Sequence, residues 1–433
     1  MRNIRLRRWL VWMVVWALVM SSVPTKGLAE TIRSGVDRVE PKEEPPKVPQ
    51  APKRDLKPGE IIEERTENTK VYYNGDGTFT KKIYFEPIHV KKKGQKLFEE
   101  VSSSLTDSTN NTNYVETENT ILETNFYKKM VDGEYANFHY NGYSISYSIL
   151  EAAGNDVQPI KAKDVAATYK KKDNKILHKN IFPSIDLQNI TFNESTKEDL
   201  VLHSFTGYHI FKFRLKTNLH ADIQDDGSIL FTNKENERVF ELPKPFMVDS
   251  NVDERSGEVQ RSENVTYELQ QDDQGYILTI KADPEWLKDP KRVYPVYIDP
   301  STSINVSTDA FVMSAYPTTN YSSSSSKWDS AQGQYVLKVG YYDGTTGTCY
   351  GFLHPDLSSI KYMNVTNATF HVYVTHSYYT TTPTGLWLDV VDSSWSASTL
   401  TWSNQPSSTN IGKVDVARDQ WAQFDVTNTV KEW

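Results

Sequence analysis

The chain has 433 residues, 38% of them hydrophobic, 24% charged and 12% aromatic, which is enough apolar surface for real cores and too long for one ordinary domain. Asp and Glu (56) outnumber Lys and Arg (48), and the first 29 residues hold five of the basic groups and no acid. An acidic chain argues against non-specific nucleic-acid binding and against docking on an anionic membrane. A single cysteine, Cys349, excludes an intrachain disulfide framework and a thiolate metal cluster.

Residues 1–29 read as a secretory signal peptide. Arg2 to Arg8 form a basic region, Trp9 to Met20 an apolar run, and Gly27-Leu28-Ala29 places small residues before a cut. The run is too short to span a bilayer, so no membrane span is expected after cleavage. Residues 30–60 are rich in Pro, Lys and Glu, the composition of an extended polar spacer.

Residues 61–299 read as a β-rich domain of repeated hairpins. Asn74-Gly75-Asp76-Gly77, Asp225-Asp226-Gly227 and Asp272-Asp273-Gln274-Gly275 each separate two apolar alternating stretches. The Ser- and Asn-rich stretch 102–120 is read as a polar loop. One short helical turn is expected at Pro284-Glu285-Trp286-Leu287, with Asp283 as its cap and Pro284 at its first position.

Composition changes near residue 300. From Ser301 to Trp433 there are 39 Ser or Thr, 20 aromatics and only 16 charged residues, so a second domain over 300–433 is expected. Ala368, Phe370, Val372 and Val374 alternate with Thr369, His371, Tyr373 and Thr375, one packed face and one wet face. Similar alternation at 335–339, 386–390 and 422–426 predicts an antiparallel, jelly-roll-like β-sandwich, and the fold class is mostly β.

Motifs for catalysis are missing: no His-Glu-x-x-His pair, no Gly-x-Ser-x-Gly elbow, no phosphate-binding glycine loop. The His203/His209 and His371/His376 pairs have poor ligand spacing, Cys349 reads as a small core or turn residue, and the paired aspartates at 225–226 and 272–273 read as turn formers. Asp309 and Asp343 offer oxygen ligands for a structural calcium ion, the one cofactor considered. The chain is therefore read as a non-enzyme. Tryptophans on the alternating strands are assigned to the core, while Trp328, Tyr341, Tyr378 and Tyr379 lie near polar loops, where flat rings beside hydroxyl groups suit a sugar ligand.

A resemblance follows from longer motifs. Trp395, Thr399-Leu400-Thr401-Trp402-Ser403-Asn404-Gln405-Pro406, Trp421 and Phe424-Asp425-Val426-Thr427, with Asp309-Ala310-Phe311-Val312 and Tyr316-Pro317-Thr318-Thr319-Asn320-Tyr321 upstream, resemble the DNRLRE domain. That family is a disaggregatase-related sandwich counted among carbohydrate-binding modules. Lys179-Asn180-Ile181-Phe182-Pro183-Ser184-Ile185-Asp186-Leu187 and residues 286–300 resemble the N-terminal part of the wall-associated proteins of Gram-positive bacteria.

The resemblance implies a secreted, cell-wall-associated protein that binds wall or other extracellular polysaccharide and not nucleic acid. It also implies relation to RHS-repeat toxins used against neighbouring cells, with the last domain incomplete at its C-terminal end. The alternatives are a polysaccharide lyase or hydrolase with unrecognised acid and base, and a ligand-free remnant of a larger toxin.

Overall fold

The computed structural model describes residues 11–22 and 56–432, apart from 93, 254–256, 305–307 and 342–345. The chain is mostly β, as its alternation predicts. Its α-helices among the described residues are three short ones, Pro284–Lys288, Ser324–Lys327 and Thr427–Glu432. None of them is long and apolar enough to cross a membrane. Most of the proline-rich spacer lies outside the described residues.

The three hairpins form where the turn residues place them. Thr69–Tyr73 pairs with Phe79–Ile83, His220–Ile223 with Ile229–Thr232, and Val265–Asp272 with Gly275–Ala282. In the first, Gly75 and Gly77 take φ near +90°, a region that side chains disfavour. Asp76 Oδ1 closes the turn by accepting the Thr78 N–H at 2.9 Å. The short helix is also as expected, with the Asp283 carboxylate accepting the Glu285 N–H at 2.9 Å.

The stretch 102–120 corrects the expectation of a loop. Ser102–Asp107 and Tyr114–Asn119 are paired strands. Leu105 and Val115 face the core, and buried Thr117 accepts the Thr124 N–H at 3.1 Å, so Ser, Thr and Asn here line strands.

Two large antiparallel sheets, of nine and eleven strands, face each other across residues 102–303. Ile210–Lys216 shows the logic: Phe211, Phe213 and Leu215 point inward, while Lys212 and Arg214 reach outward to Glu151 and Asp272. The shared core runs from Leu105 to Ile304, and each large apolar side chain in it contributes about 1.5–3 kcal/mol. Ser195–Leu202 departs from alternation, because it is buried on both faces although five of its eight residues are polar.

The C-terminal sandwich has its own core. Val365–Ser377 pairs with Gln420–Asp425, and Thr384–Val391 pairs with Ser408–Val416. Phe370, Val372 and Phe424 from one pair meet Leu386, Leu388 and Val416 from the other. Ile83 joins this core and Phe85 meets Phe370 edge-on at 6.0 Å, so the end of the first hairpin packs on the C-terminal sandwich. Val11–Ser22, which holds most of the apolar run Trp9 to Met20 of the expected export signal, is extended and pairs with Phe79–Ile83, Leu337–Tyr341 and Val365–Ser377.

Candidate functional site

Alternation decides which side chains of the sandwich reach solvent. Ala422 and Phe424 point into the core, so Trp421, Gln423 and Asp425 point out. Opposite them stand Tyr373, His371 and Thr369. The Trp421 ring is 45% exposed, 5.2 Å from Tyr373 and 6.4 Å from His371, which makes a flat aromatic and amide face. Burial, helped by the nearby Lys82, holds the His371 imidazole below its ordinary range. At the Asp425 end, Thr366, Asn367, Thr427 and Asn428 line a polar depression of about 490 Å³.

Thr384–Val391 presents a second outward face. Leu386 and Leu388 point in, leaving Trp387 46% exposed, with Lys413 Nζ 5.4 Å from its ring centre. A Cβ on Gly385 would come within 2.7 Å of the indole, so glycine is what lets this ring lie against its strand. The assignment of strand tryptophans to the core is thus corrected for Trp387 and Trp421. Their own neighbours fill the inward positions. Tyr350 stacks on Trp402 at 5.1 Å, and Asp389 nearby accepts hydrogen bonds from Asn410 (2.7 Å) and Ser408 (3.1 Å).

Of the four residues expected to contact a sugar, three share one end of a sheet. Val11 pairs with both Val339 and Ser377, so Tyr341 and Tyr379 each lie two residues beyond the same row. Tyr378 and Tyr379 meet edge-on at 5.1 Å, and Tyr341 and Tyr379 are exposed. Trp328 is elsewhere: half-buried, 5.2 Å from Tyr335 and 6.0 Å from Phe192.

Beneath Trp328 lies a buried polar cluster that the sequence did not disclose. Lys197 contacts Asp199, and its Nζ is 3.1 Å from Asp299 and 5.2 Å from the Trp328 ring. Burial works against the Lys197 charge, and the two aspartates more than restore it, leaving the ammonium above its ordinary value. On the opposite face of the strand, Glu198 receives the Tyr135 hydroxyl at 2.8 Å, yet burial pushes its carboxyl up to about 8. Ser-Thr-Lys-Glu-Asp has the composition of a solvated edge, so the only signal was its place between two strands.

Several other readings meet the structure here. Asp226 caps its turn through Ser228, and Asp272 pairs with Arg214. His203 bonds Asp186 and His209 the Gly207 carbonyl. Cys349 is buried beside Phe311, Met313 and Leu337, and burial raises its thiol to about 12. Asp309 pairs with Lys327 at 2.5 Å, while Asp343 lies outside the described residues. Glu60, His89 and Glu100 offer three metal-ligating atoms within 4.8 Å, but Arg65 and Lys70 already neutralise the two carboxylates.

Residues 300–433 match carbohydrate-binding module family 96. A protein of Geobacillus stearothermophilus named wall-associated protein is 94% identical over 249 residues, 58% of this chain and 98% of that protein. The tRNA nuclease WapA of Bacillus subtilis strain 168 is 50% identical across 99% of this chain, which spans 19% of that relative. The tRNA3(Ser)-specific nuclease WapA of Bacillus spizizenii is 48% identical over the same shares. No solved structure matches.

These relatives correct two expectations. The reading as a non-enzyme does not stand, because proteins half identical over nearly the whole chain are named nucleases. The exclusion of nucleic acid, drawn from net charge, is challenged by the same names. Net charge describes an average surface and says nothing of a local substrate site. Cell-wall association and a carbohydrate-binding module are supported together. The chain belongs to the wall-associated protein family.

Proposed function

We propose that this chain attaches its protein to the cell wall by laying a glycan along the outward face of Val365–Ser377 and Gln420–Asp425. Trp421 and Tyr373 would stack on sugar rings, Gln423 and His371 would bond hydroxyls, and Tyr378 and Tyr379 would extend the contact beyond the end of Val365–Ser377. From Tyr373 to Tyr378 is about 17 Å of extended strand, the scale of a short oligosaccharide. The observation that carries this reading is the exposed Trp421–Tyr373 pair within a stretch that matches a carbohydrate-binding module. Trp328 would serve packing over Lys197.

In this reading residues 1–29 are the export signal, 30–60 the spacer, 61–299 a docking domain and 300–433 the glycan-binding sandwich of DNRLRE type. The tRNA cleavage named for the Bacillus relatives belongs to the protein as a whole, a contact-dependent, RHS-type surface toxin held at the wall by this region. The test is co-sedimentation of the chain with isolated Gram-positive walls, with soluble polysaccharide as competitor. Saturable, displaceable binding that Trp421→Ala weakens supports the proposal; unchanged binding by that variant sinks the assigned face.

A further inference from the structure

Lys197 lies in a strand with no exposed face, its Nζ 3.1 Å from Asp299 Oδ2 and in contact with Asp199. The strand Val296–Asp299 runs antiparallel to it, with Leu200 opposite Ile298, so Asp199 and Asp299 stand side by side across the pair. The rings of Phe246 and Trp328 lie 5.4 and 5.2 Å from Nζ. Charges in such a dry, aromatic-walled site carry a heavy desolvation cost, which falls when a proton passes from the ammonium to a carboxylate. Burial raises the Asp199 carboxyl, while the two aspartates hold the Lys197 ammonium above its ordinary value, so the proton-transferred pair is the minor, reacting state of the cluster. An amine and a carboxylic acid held together out of water can then condense.

The two aspartates are not equivalent. Asp299 Oδ1 accepts the Ser301 N–H at 2.7 Å and the Ser301 hydroxyl as well, two donors where negative charge would develop if Cγ were attacked. Its other oxygen, Oδ2, faces Lys197 and is placed to leave. Asp199 touches Nζ and accepts the Gln188 amide at 3.3 Å, the position of a group that takes a proton from nitrogen and delivers it to the departing oxygen.

We propose that Lys197 and Asp299 become joined by an intramolecular amide bond, with Asp199 as the proton carrier. In the reacting state the Lys197 proton has passed to Asp299 Oδ2, and Nζ, now the neutral amine, attacks Cγ. The Nζ–Cγ bond forms and the Cγ–Oδ2 bond breaks. Oδ2 departs as water, carrying the acid's own proton and one that Asp199 relays from nitrogen. One water is lost, no oxidant or cofactor is consumed, and Asp199 ends in its starting protonation state.

Intact-mass spectrometry of the denatured full chain, corrected for the N-terminus it carries, tests this. The expected mass is one water below the sequence value, with no tryptic cleavage after Lys197 and a branched peptide linking Lys197 to Asp299. Lys197→Arg and Asp199→Ala should restore the full mass. Asp299→Asn should still cross-link, releasing ammonia and reaching the same final mass as the wild type. Full sequence mass in the wild type would falsify the proposal and leave an ion-paired cluster. A deficit that maps to a Lys197–Asp199 link, or to a succinimide at an Asp-Gly step such as Asp132-Gly133, would equally overturn it. The wild-type measurement decides even where a variant fails to fold.

Discussion

The core between Leu105 and Ile304 takes charged residues inside, with Lys197, Glu198, Asp199 and Asp299 all buried, whereas the C-terminal sandwich keeps charge and several large aromatics on its outer faces. Both follow from how much cover each strand receives. Ser195–Leu202 is central in an eleven-stranded sheet and packed on both faces, so even its polar side chains must find partners inside. Gln420–Asp425 is covered on one face only, so its tryptophan stays in water. A rigid, highly buried unit and an exposed aromatic surface thus sit in one chain, the first suited to support and the second to contact.

The largest effect expected is on the first core. Phe213→Ala removes a fully buried ring and should cost about 3–5 kcal/mol in chemical denaturation, while the same cut at an outward aromatic should not. A cost below about 1 kcal/mol would show that the first core is loosely packed and would break the contrast.

Next in size is a pH dependence confined to that core. The folded Glu198 carboxyl, near 8, binds its proton more tightly than the unfolded group near 4.5, so its contribution falls as pH rises through that window. Glu194, raised by burial to about 7, acts in the same sense. Buried His178, held down to about 4, acts oppositely, favouring the fold above the unfolded value of 6.5 and losing that contribution as pH drops toward 4. Two glutamates outweigh one histidine, so stability should decline from about pH 4.5 upward and go on declining to pH 8, by at most about 1.4 kcal/mol per pH unit for each uncompensated group. Thermal melts across that range check it, and Glu198→Gln should flatten the upper slope. An unchanged slope in that variant would remove Glu198 from the account.

Smaller effects distinguish the two outer faces. Trp421→Ala should weaken wall binding about tenfold, about 1.4 kcal/mol, with little change in melting temperature. Trp387→Ala, on the opposite face, should leave wall binding within about twofold and stability within about 0.5 kcal/mol. Reversed results in the sedimentation assay would transfer the binding surface to the Trp387 and Lys413 side.

Much of this architecture is legible in the residues alone. Local turn chemistry specifies three hairpins, because the glycines of Asn-Gly, Asp-Gly and Gln-Gly steps supply the positive φ that short turns require. The capped turn at Pro284 is equally local. The strands at 102–119 escape because Ser, Thr and Asn read as loop residues, though Leu105 and Val115 hold the inward positions. Buried Lys197 escapes because only the covering sheet and the Phe246 and Trp328 rings make that strand interior, and neither is near it in sequence. Trp387 and Trp421 are a different miss: their alternating neighbours already place them outward, and the size of indole outweighs the pattern. The nuclease relationship cannot be read from motifs in a chain that spans 19% of those relatives.

The strand Val296–Asp299 lies near the end of the first core, which closes with the two-residue strand Thr302–Ser303 just inside the stretch matched from residue 300. Val296–Asp299 lies antiparallel against both Ser195–Leu202 and Phe246–Val252. If the C-terminal sandwich grips an insoluble wall while the rest of the protein is dragged by flow or by a neighbouring cell, tension enters the first core at Thr302–Ser303 and passes next to this strand. Hydrogen bonds on both of its edges would then be loaded along the strand and strained together rather than peeled one at a time. The residues that join the two units are thereby also the ones best placed to resist mechanical extraction.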